Sequence, residues 1–508
     1  MATRAEPRAE VSRGHSSDEG RESRLERRPE RCARVGASKQ RASKPSVAVK
    51  TRGQPDSANA GSSAPEASGE AASPLPRSVR SERASERRES PGQNNHDELM
   101  EQVAAPANLN AAWRRVRANG GTPGIDGITV EQFPEHLRAH TETLRQALLD
   151  GSYRPSALRR VRIPKPNGGE RQLGIPTVQD RLVQQALLQV LQPILDPTFH
   201  AHSYGFRPGR NARQAVAAAQ AYIREGYDWV VDLDLEAFFD HVNHDRLMSR
   251  LGERIADRRV RRVIRRFLQA GVLEHGVLTP TREGTPQGGP LSPLLANLVL
   301  DELDQGLDDR GLRFVRYADD CNVYVRSERA ATRAFENLTT LIEGRLRLKV
   351  NRAKSAVARP WERKLLGFSF TSKDAGTKRR IAPKALTKAK DRIRELTQKS
   401  HRSFKAVMTG LRRYLVGWLG YFRFCETPSV LRDMEKWTRR RLRCLIWQQW
   451  KRGPRRFREL VRRGIAPIAA AQLVSAPNGP WRLSATPVLH QAFPTAWFTR
   501  HGLPPFPV

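Results

Sequence analysis

Cysteine is nearly absent from this chain. Four occur in 508 residues (Cys32, Cys321, Cys425 and Cys444), and no two have Cys-x-x-Cys spacing. They offer no disulfide framework and no paired-thiolate zinc site, and they fit a reducing, cytoplasmic setting. No apolar run is long enough to cross a bilayer, so no membrane partner is expected. The polar N-terminus mixes acids with its arginines and reads as neither a secretory signal nor a transit peptide. Acids are scarce: 53 Asp and Glu stand against 89 Lys and Arg, a formal net charge of +36. That imbalance says nothing about fold, but it points to a polyanionic partner. Aromatic residues make up 7% of the chain and are missing altogether from residues 1–95. That stretch, rich in Arg, Ser, Glu, Ala, Gly and Pro, cannot bury enough apolar surface to offset its ordering entropy. It reads as a disordered basic arm: either a nucleic-acid tail, or an over-long reading frame with Met100 near the true start.

The remainder divides by pattern. Residues 96–380 mix short strands with helices. A helix is expected over 108–118, followed by the turn-rich Gly120-Gly-Thr-Pro-Gly-Ile-Asp-Gly127 and further helix near 130–150. Leu158–Ile163 and Glu170–Ile175 read as a hairpin closed by Pro164-Lys-Pro-Asn-Gly-Gly169. Helical spacing recurs over 180–195, 211–224, 294–309 and 329–346. Trp229–Asp240 is strand-like at first and then turns towards a helix, and Leu348–Asn351 and Leu365–Phe370 are further strand candidates. Residues 381–455 turn to long basic helices with apolar stripes (Leu411, Leu415, Trp418, Leu419, Phe422). Among their charges lie Trp437, Trp447 and Trp450, either packing residues or stacking platforms for bases. Residues 456–508 become Pro-rich and lose periodicity, which suggests a nucleic-acid-binding tail.

Two stretches carry acids in a chemically suggestive pattern. Arg313–Arg326 contains Asp319 and Asp320 between apolar, β-branched flanks, as at a hairpin tip. A solvated turn explains such a pair as well as a metal site does. Asp232 and Asp234 alternate with apolar residues and so share one face of the strand that opens the Trp229–Asp240 stretch. One strand acid with two at a neighbouring turn is the donor set that two-metal phosphoryl transfer uses, with two hard Mg²⁺ ions on carboxylate oxygens. Two unit charges about 4 Å apart repel by roughly 4 kcal/mol at an effective dielectric near 20, so such a cluster invites cations. Lys165 in the hairpin turn and Arg171 on its return strand could clamp a triphosphate, or could be ordinary surface charges. The Gly/Pro-rich Gly284–Pro293 loop could let backbone approach closely. Arg207 and Arg210 beside aromatics, with Arg412, Arg413 and Arg440 on the basic helices, are the candidates for RNA and template contact.

In order and spacing, nine blocks resemble the reverse transcriptases encoded in bacterial group II introns, also called maturases. They are Gly-Thr-Pro-Gly-Ile-Asp-Gly, Ile-Pro-Lys-Pro, Arg-Gln-Leu-Gly-Ile-Pro-Thr, Tyr-Gly-Phe-Arg-Pro, Asp-Leu-Glu-Ala-Phe-Phe-Asp, Gln-Gly-Gly-Pro-Leu-Ser-Pro-Leu, Tyr-Ala-Asp-Asp, Leu-Lys-Val-Asn and Leu-Gly-Phe. The resemblance spans roughly residues 99–500. It implies an α+β right-hand polymerase, with fingers and palm followed by a helical thumb or maturase domain that grips intron RNA. In the family the first catalytic Asp lies five residues before the aromatic that excludes a ribose 2′-OH. That register selects Asp234, with Phe239, over Asp232. The likeness assigns Asp234, Asp319 and Asp320 to catalysis and to two Mg²⁺ ions. It assigns dNTP contacts to Lys165, Arg171, Phe239 and Gln287. Leu415-Val-Gly-Trp-Leu-Gly-Tyr-Phe422 looks like the maturase hallmark.

Nothing beyond Cys444 could supply the paired cysteines of the zinc-dependent H-N-H endonuclease that many relatives carry. The chain therefore looks like the branch without it, expected to use intron RNA, target DNA and dNTPs but no zinc. The long arm is unlike the family. The expected activity is RNA-directed DNA polymerisation coupled to intron splicing and retrohoming by target-primed reverse transcription. The alternatives are a non-enzymatic splicing factor on a decayed polymerase scaffold, or a domesticated retron-like or CRISPR-linked reverse transcriptase.

Overall fold

The computed structural model describes residues 98–507 except 165–169, 275 and 399–401. The N-terminal arm and Lys165 lie outside the described residues.

The described residues open with helices α1 (Leu99–Ala104), α2 (Pro106–Asn119) and α3 (Phe133–Leu149). Strands β1 (Leu158–Pro164) and β2 (Glu170–Ile175) follow, then α4 (Val178–Leu195) and α5 (Ala212–Arg224). Prolines at the first positions of α2 and α3 cost no hydrogen bond there. Thr177 caps α4 by accepting from the Asp180 amide, and Asn211 with Gln214 forms a capping box on α5. Next come β3 (Trp229–Leu233), α6 (His244–Gly252), α7 (Arg258–Gln269), β4 (Val272–Glu274), β5 (Val277–Thr279) and α8 (Ser292–Asp308). A hairpin, β6 (Arg313–Tyr317) and β7 (Asp320–Val325), precedes α9 (Glu328–Thr340) and a π-helical turn over Leu341–Leu346. Then come β8 (Ala356–Ala358), β9 (Phe368–Phe370) and β10 (Arg379–Ile381).

Two four-stranded sheets result. The fingers sheet has order β2-β1-β4-β5 and the palm sheet β6-β7-β3-β8. All palm pairings are antiparallel, whereas β1 meets β4 in parallel. Period-two alternation splits the palm strands between two cores. Val231, Leu233, Phe314 and Val323 face the cluster built on α4, α6, α7 and α8. Val230, Val315 and Tyr324 face α5 and the helices that follow the palm. The central strands therefore read as near-continuous apolar runs.

Those later helices are α10 (Pro383–Gln398), α11 (Phe404–Phe422), α12 (Pro428–Gln449), α13 (Gly453–Val461), α14 (Pro467–Ser475), α15 (Pro480–Leu483), α16 (Pro487–Ala492) and α17 (Thr495–Arg500). Leu411, Leu415, Leu442 and Trp447 join Leu489, Phe493, Phe498 and Phe506 in one apolar cluster. The stretch beyond 465 is thus folded rather than tail-like. Its prolines sit at the first turns of α14, α15 and α16, where the missing N–H costs nothing. Helices this short leave no periodicity to detect. Trp447 and Trp450 are buried in the same cluster, which makes them packing residues.

The sequence passes over α6, α7, β4 and β5. Leu348–Asn351 differs from expectation too: it forms a lone bridge from Val350 to Leu235 and no strand. Arg347 is left-handed (φ 55°) on one side, and Asn351 starts a turn by accepting from Lys354 on the other. Among the described residues no helix is long and apolar enough to cross a membrane.

Candidate active site

Antiparallel register builds the site. Asp232 pairs with Asn322 and Leu233 with Cys321. Asp234 and Asp320 lie one residue beyond the last pair of that register, and both line one cavity. Tyr317 pairs with Asp320, leaving Ala318 and Asp319 as a two-residue turn. Ala318 is left-handed (φ 58°), as the primed hairpin turns require at their first central residue. A non-Gly residue held there costs on the order of 1 kcal/mol, and Ala237, before Phe239, is held in the same way (φ 45°).

Buried polar contacts hold the turn in place. Arg316, fully buried, donates to Asp304 on α8 through Nε (2.6 Å) and to the Ala318 carbonyl (3.0 Å). It also reaches Asn297 Oδ1 (3.0 Å) and Ser203 Oγ (2.8 Å). The Tyr204-Gly-Phe-Arg-Pro208 loop lies against the same turn: the Tyr204 amide donates to the Arg316 carbonyl (2.8 Å). A Cβ on Gly205 would stand 2.3 Å from the Ala318 nitrogen. Gly205→Ala is accordingly expected to force the loop and the turn apart and to lower the melting temperature by several degrees or more, read by thermal unfolding.

The carboxylates differ in their surroundings. Asp232 is held by Arg363 (2.6 Å), and burial raises its pKa. Asp234 faces Lys354 (3.2 Å); its amide donates to Ser355 Oγ (3.0 Å) and its carbonyl accepts from Asn351 (2.8 Å). Asp320 opens onto a cavity of about 920 Å³ that Asp232, Asp234, Lys354, Arg363 and Lys364 also line. The protein packed around its carboxyl, with Asp319 beside it, pushes Asp320 up to about 6. A cation would relieve that crowding. Asp234, Asp319 and Asp320 offer only hard oxygens, so the donor chemistry fits magnesium. Among the described residues no three His, Cys, Asp or Glu side chains stand grouped so as to hold a metal ion, and Asp234 is turned towards Lys354.

Phe239 is half-buried beside Phe238, with ring centroids 5.1 Å apart. The Gly284–Pro293 loop wraps this segment: the Thr285 amide donates to the Phe239 carbonyl (2.6 Å). Gln287 Nε2 reaches Asp240 (3.4 Å), and its carbonyl accepts from Gly174 on β2 (3.0 Å). Gly288, at φ 129°, brings its backbone so close to Gly174 that a Cβ would sit 2.8 Å from that carbonyl oxygen. The loop thus ties fingers to palm. Arg171 occupies β2 opposite Ile163.

The chain matches the model for "Reverse transcriptase (RNA-dependent DNA polymerase)" over residues 163–370. It matches that for "Group II intron, maturase-specific domain" over 386–464. It is 33% identical over 299 residues to Protein YkfC of Escherichia coli, covering 51% of this chain and 78% of that one. It is 36% identical over 231 residues to the group II intron-encoded protein LtrA of Lactococcus lactis. That match covers 44% of this chain but only 38% of LtrA. This chain belongs to the group II intron reverse transcriptases and maturases. Its polymerase part is an RNA-directed DNA polymerase domain with the α+β fingers and palm just described.

Within this reverse transcriptase, one assignment from sequence is corrected. Arg207 is buried and wholly engaged, donating to Asp196 Oδ1 (2.9 Å) and to the carbonyls of Asp196 (2.8 Å), His200 (2.6 Å) and Ser203 (3.1 Å). It pins its loop and cannot reach a template; charge alone could not reveal that burial. Arg210 lies over Tyr204, 5.5 Å from the ring centre, and Arg412 and Arg413 are exposed on α11. Arg440 stacks on Trp481 at 4.1 Å. The sequence reading overlooked Lys354, Arg363, Arg316 and Asp304. A signal for the last existed: Asp304 interrupts the apolar stripe Leu300, Leu303, Leu307 on α8, all buried, and a charge in such a stripe demands a partner.

Proposed function

We propose that this protein extends a DNA primer along an RNA template, and that its basic helices bind intron RNA to promote splicing and retrohoming. The observation that supports the catalytic part is the β3–β7 register, whose last pair, Leu233 with Cys321, ends one residue short of Asp234 and Asp320, together with the cavity that both carboxylates line. In the reaction the primer 3′-oxygen attacks the α-phosphorus of a dNTP; one P–O bond forms and the bond to pyrophosphate breaks. Two Mg²⁺ ions held by Asp234, Asp319 and Asp320 would lower the charge on the entering and leaving oxygens. Lys165 and Arg171 contact the triphosphate from the fingers. Gln287, fixed between Asp240 and β2, packs against nucleotide and template. Phe239 lies under the sugar and excludes a 2′-OH.

Arg210, Arg412, Arg413 and Arg440 are the proposed contacts to RNA, with target DNA as the second polyanion. The family membership and the charge of +36 support this. The test is primer extension on an RNA template by the purified chain, with splicing of its flanking intron RNA assayed in parallel. Absence of extension at any magnesium concentration would refute the polymerase reading. Phe239→Ala should raise ribonucleotide incorporation relative to dNTP by about tenfold or more, read from paired kcat/KM values. An unchanged ratio would remove Phe239 from this role.

A further inference from the structure

Where α12 meets the C-terminal helices, a cavity of about 600 Å³ opens that shares no lining residue with the one at Asp234 and Asp320. Lys436, Arg439, Arg440 and Arg443 of α12 line it, with His490 of α16 opposite and Trp437 as an aromatic wall. Asp433 is the one carboxylate on the lining; nearby Glu435 is taken up by Arg439. Arg443 is the unusual member, 5% exposed and with no acid among its partners. It donates to the carbonyls of Ser484 (3.1 Å) and Phe493 (3.5 Å) and meets Nε2 of His490 at 2.9 Å. Burial, with Arg439 and Arg440 close by, draws its pKa down to about 10. Burial and Arg443 also draw His490 down, which keeps the ring neutral and able to accept.

Four cations against Asp433, with Arg439 already paired to Glu435, leave a net positive field at the opening that an anion would relieve. Ligand sites commonly occupy about 300–1,000 Å³, so the cavity has room for a nucleotide. A planar wall beside cations suits a base attached to a phosphate. Residues 485–495 form the second wall and lie beyond the maturase-specific match, which ends at 464.

We infer that this cavity receives one nucleotide, its phosphate on Lys436 and the neighbouring arginines and its base against Trp437. The inference rests on the RNA-binding reading above and deepens it by naming a subsite completed by the C-terminal helices. An RNA strand and a free nucleotide offer the same chemistry, so the full-length protein is probed with both: a short oligouridylate carrying 4-thiouridine, and UMP. Lys436→Glu combined with Thr495→Glu places two carboxylates on the lining. Thr495 opens α17, where a carboxylate is compatible with the helix. The pair should weaken oligouridylate binding about tenfold at fixed salt and lower the salt slope by roughly 1. Arg333→Glu, an exposed charge reversal on α9, should stay within about twofold of wild type.

On the unaltered protein, cross-links should fall on the peptides holding Trp437 or His490, a readout that needs no variant to fold. Cross-linking without a saturable UMP-induced change in tryptophan fluorescence assigns a strand; a UMP response without cross-links assigns a free nucleotide. The inference is overturned if neither probe reaches residues 433–443 or 485–495, or if the double variant behaves like Arg333→Glu. Wild-type protein that binds no oligouridylate and no intron RNA would instead overturn the RNA-binding reading itself.

Discussion

Replacing Asp319 and Asp320 together by asparagine is expected to reduce primer extension by about 10³-fold or more, a loss of roughly 4 kcal/mol in transition-state stabilisation. The amides retain the shape of the turn but lose the charge that would hold the ions. Folding should survive, because in the metal-free chain the paired acids repel: the protein packed around its carboxyl, with Asp319 beside it, already pushes Asp320 up to about 6. Relief of that repulsion should leave the melting temperature level or slightly raised. RNA binding, assigned to other surfaces, should change less than about twofold. Three measurements on one preparation therefore separate the outcomes: extension rate, melting curve and RNA affinity. Extension within tenfold of wild type would show that the reaction runs elsewhere.

The second large effect is expected one layer below. Arg316→Met strands Asp304 without its partner in a fully buried site, which costs about 3–5 kcal/mol. It also leaves Ser203, Asn297 and the Ala318 carbonyl without their donor. Arg316→Met with Asp304→Leu removes both charges and should recover most of that stability in urea denaturation. Activity should not recover with it, since the left-handed Ala318 loses the bond that fixes the catalytic turn. Stability regained without turnover distinguishes a positioning role from mere support of the fold. Recovery of both together would refute positioning.

How far the sequence reached follows from what each residue's surroundings demand. The hairpin was legible because β-branched and aromatic residues (Phe314, Val315, Tyr317, Val323, Tyr324, Val325) flank an acidic pair suited to a turn, while the metal role of that pair came from the family resemblance. Asp232 and Asp234 share a face and could not be told apart by pattern; the family register separated them, and the structure gives them different partners, Arg363 and Lys354. Arg207 was misjudged because a chain with so many arginines hides the few that are buried. The short helices after 465 went unseen because four to nine residues display too little of a 3.6-residue period, and because proline marks both helix starts and breaks. β4 and β5, three residues each, are defined by pairing with distant partners rather than by their own composition.

The parallel contact between β1 and β4 has a consequence during synthesis. Arg160 on β1 and Glu274 on β4 form an ion pair across 114 residues of chain. A ribosome adding about 5–20 residues per second needs several seconds or more to deliver that partner. Throughout that wait the β1–β2 hairpin presents an open edge to other nascent chains, the usual starting point for aggregation. Arg159, Arg160 and Arg162 interleave the apolar residues of that strand. Charges so placed discourage edge-to-edge pairing. The arginines that later hold Glu274 thus also act as gatekeepers, keeping the hairpin soluble until its neighbour emerges.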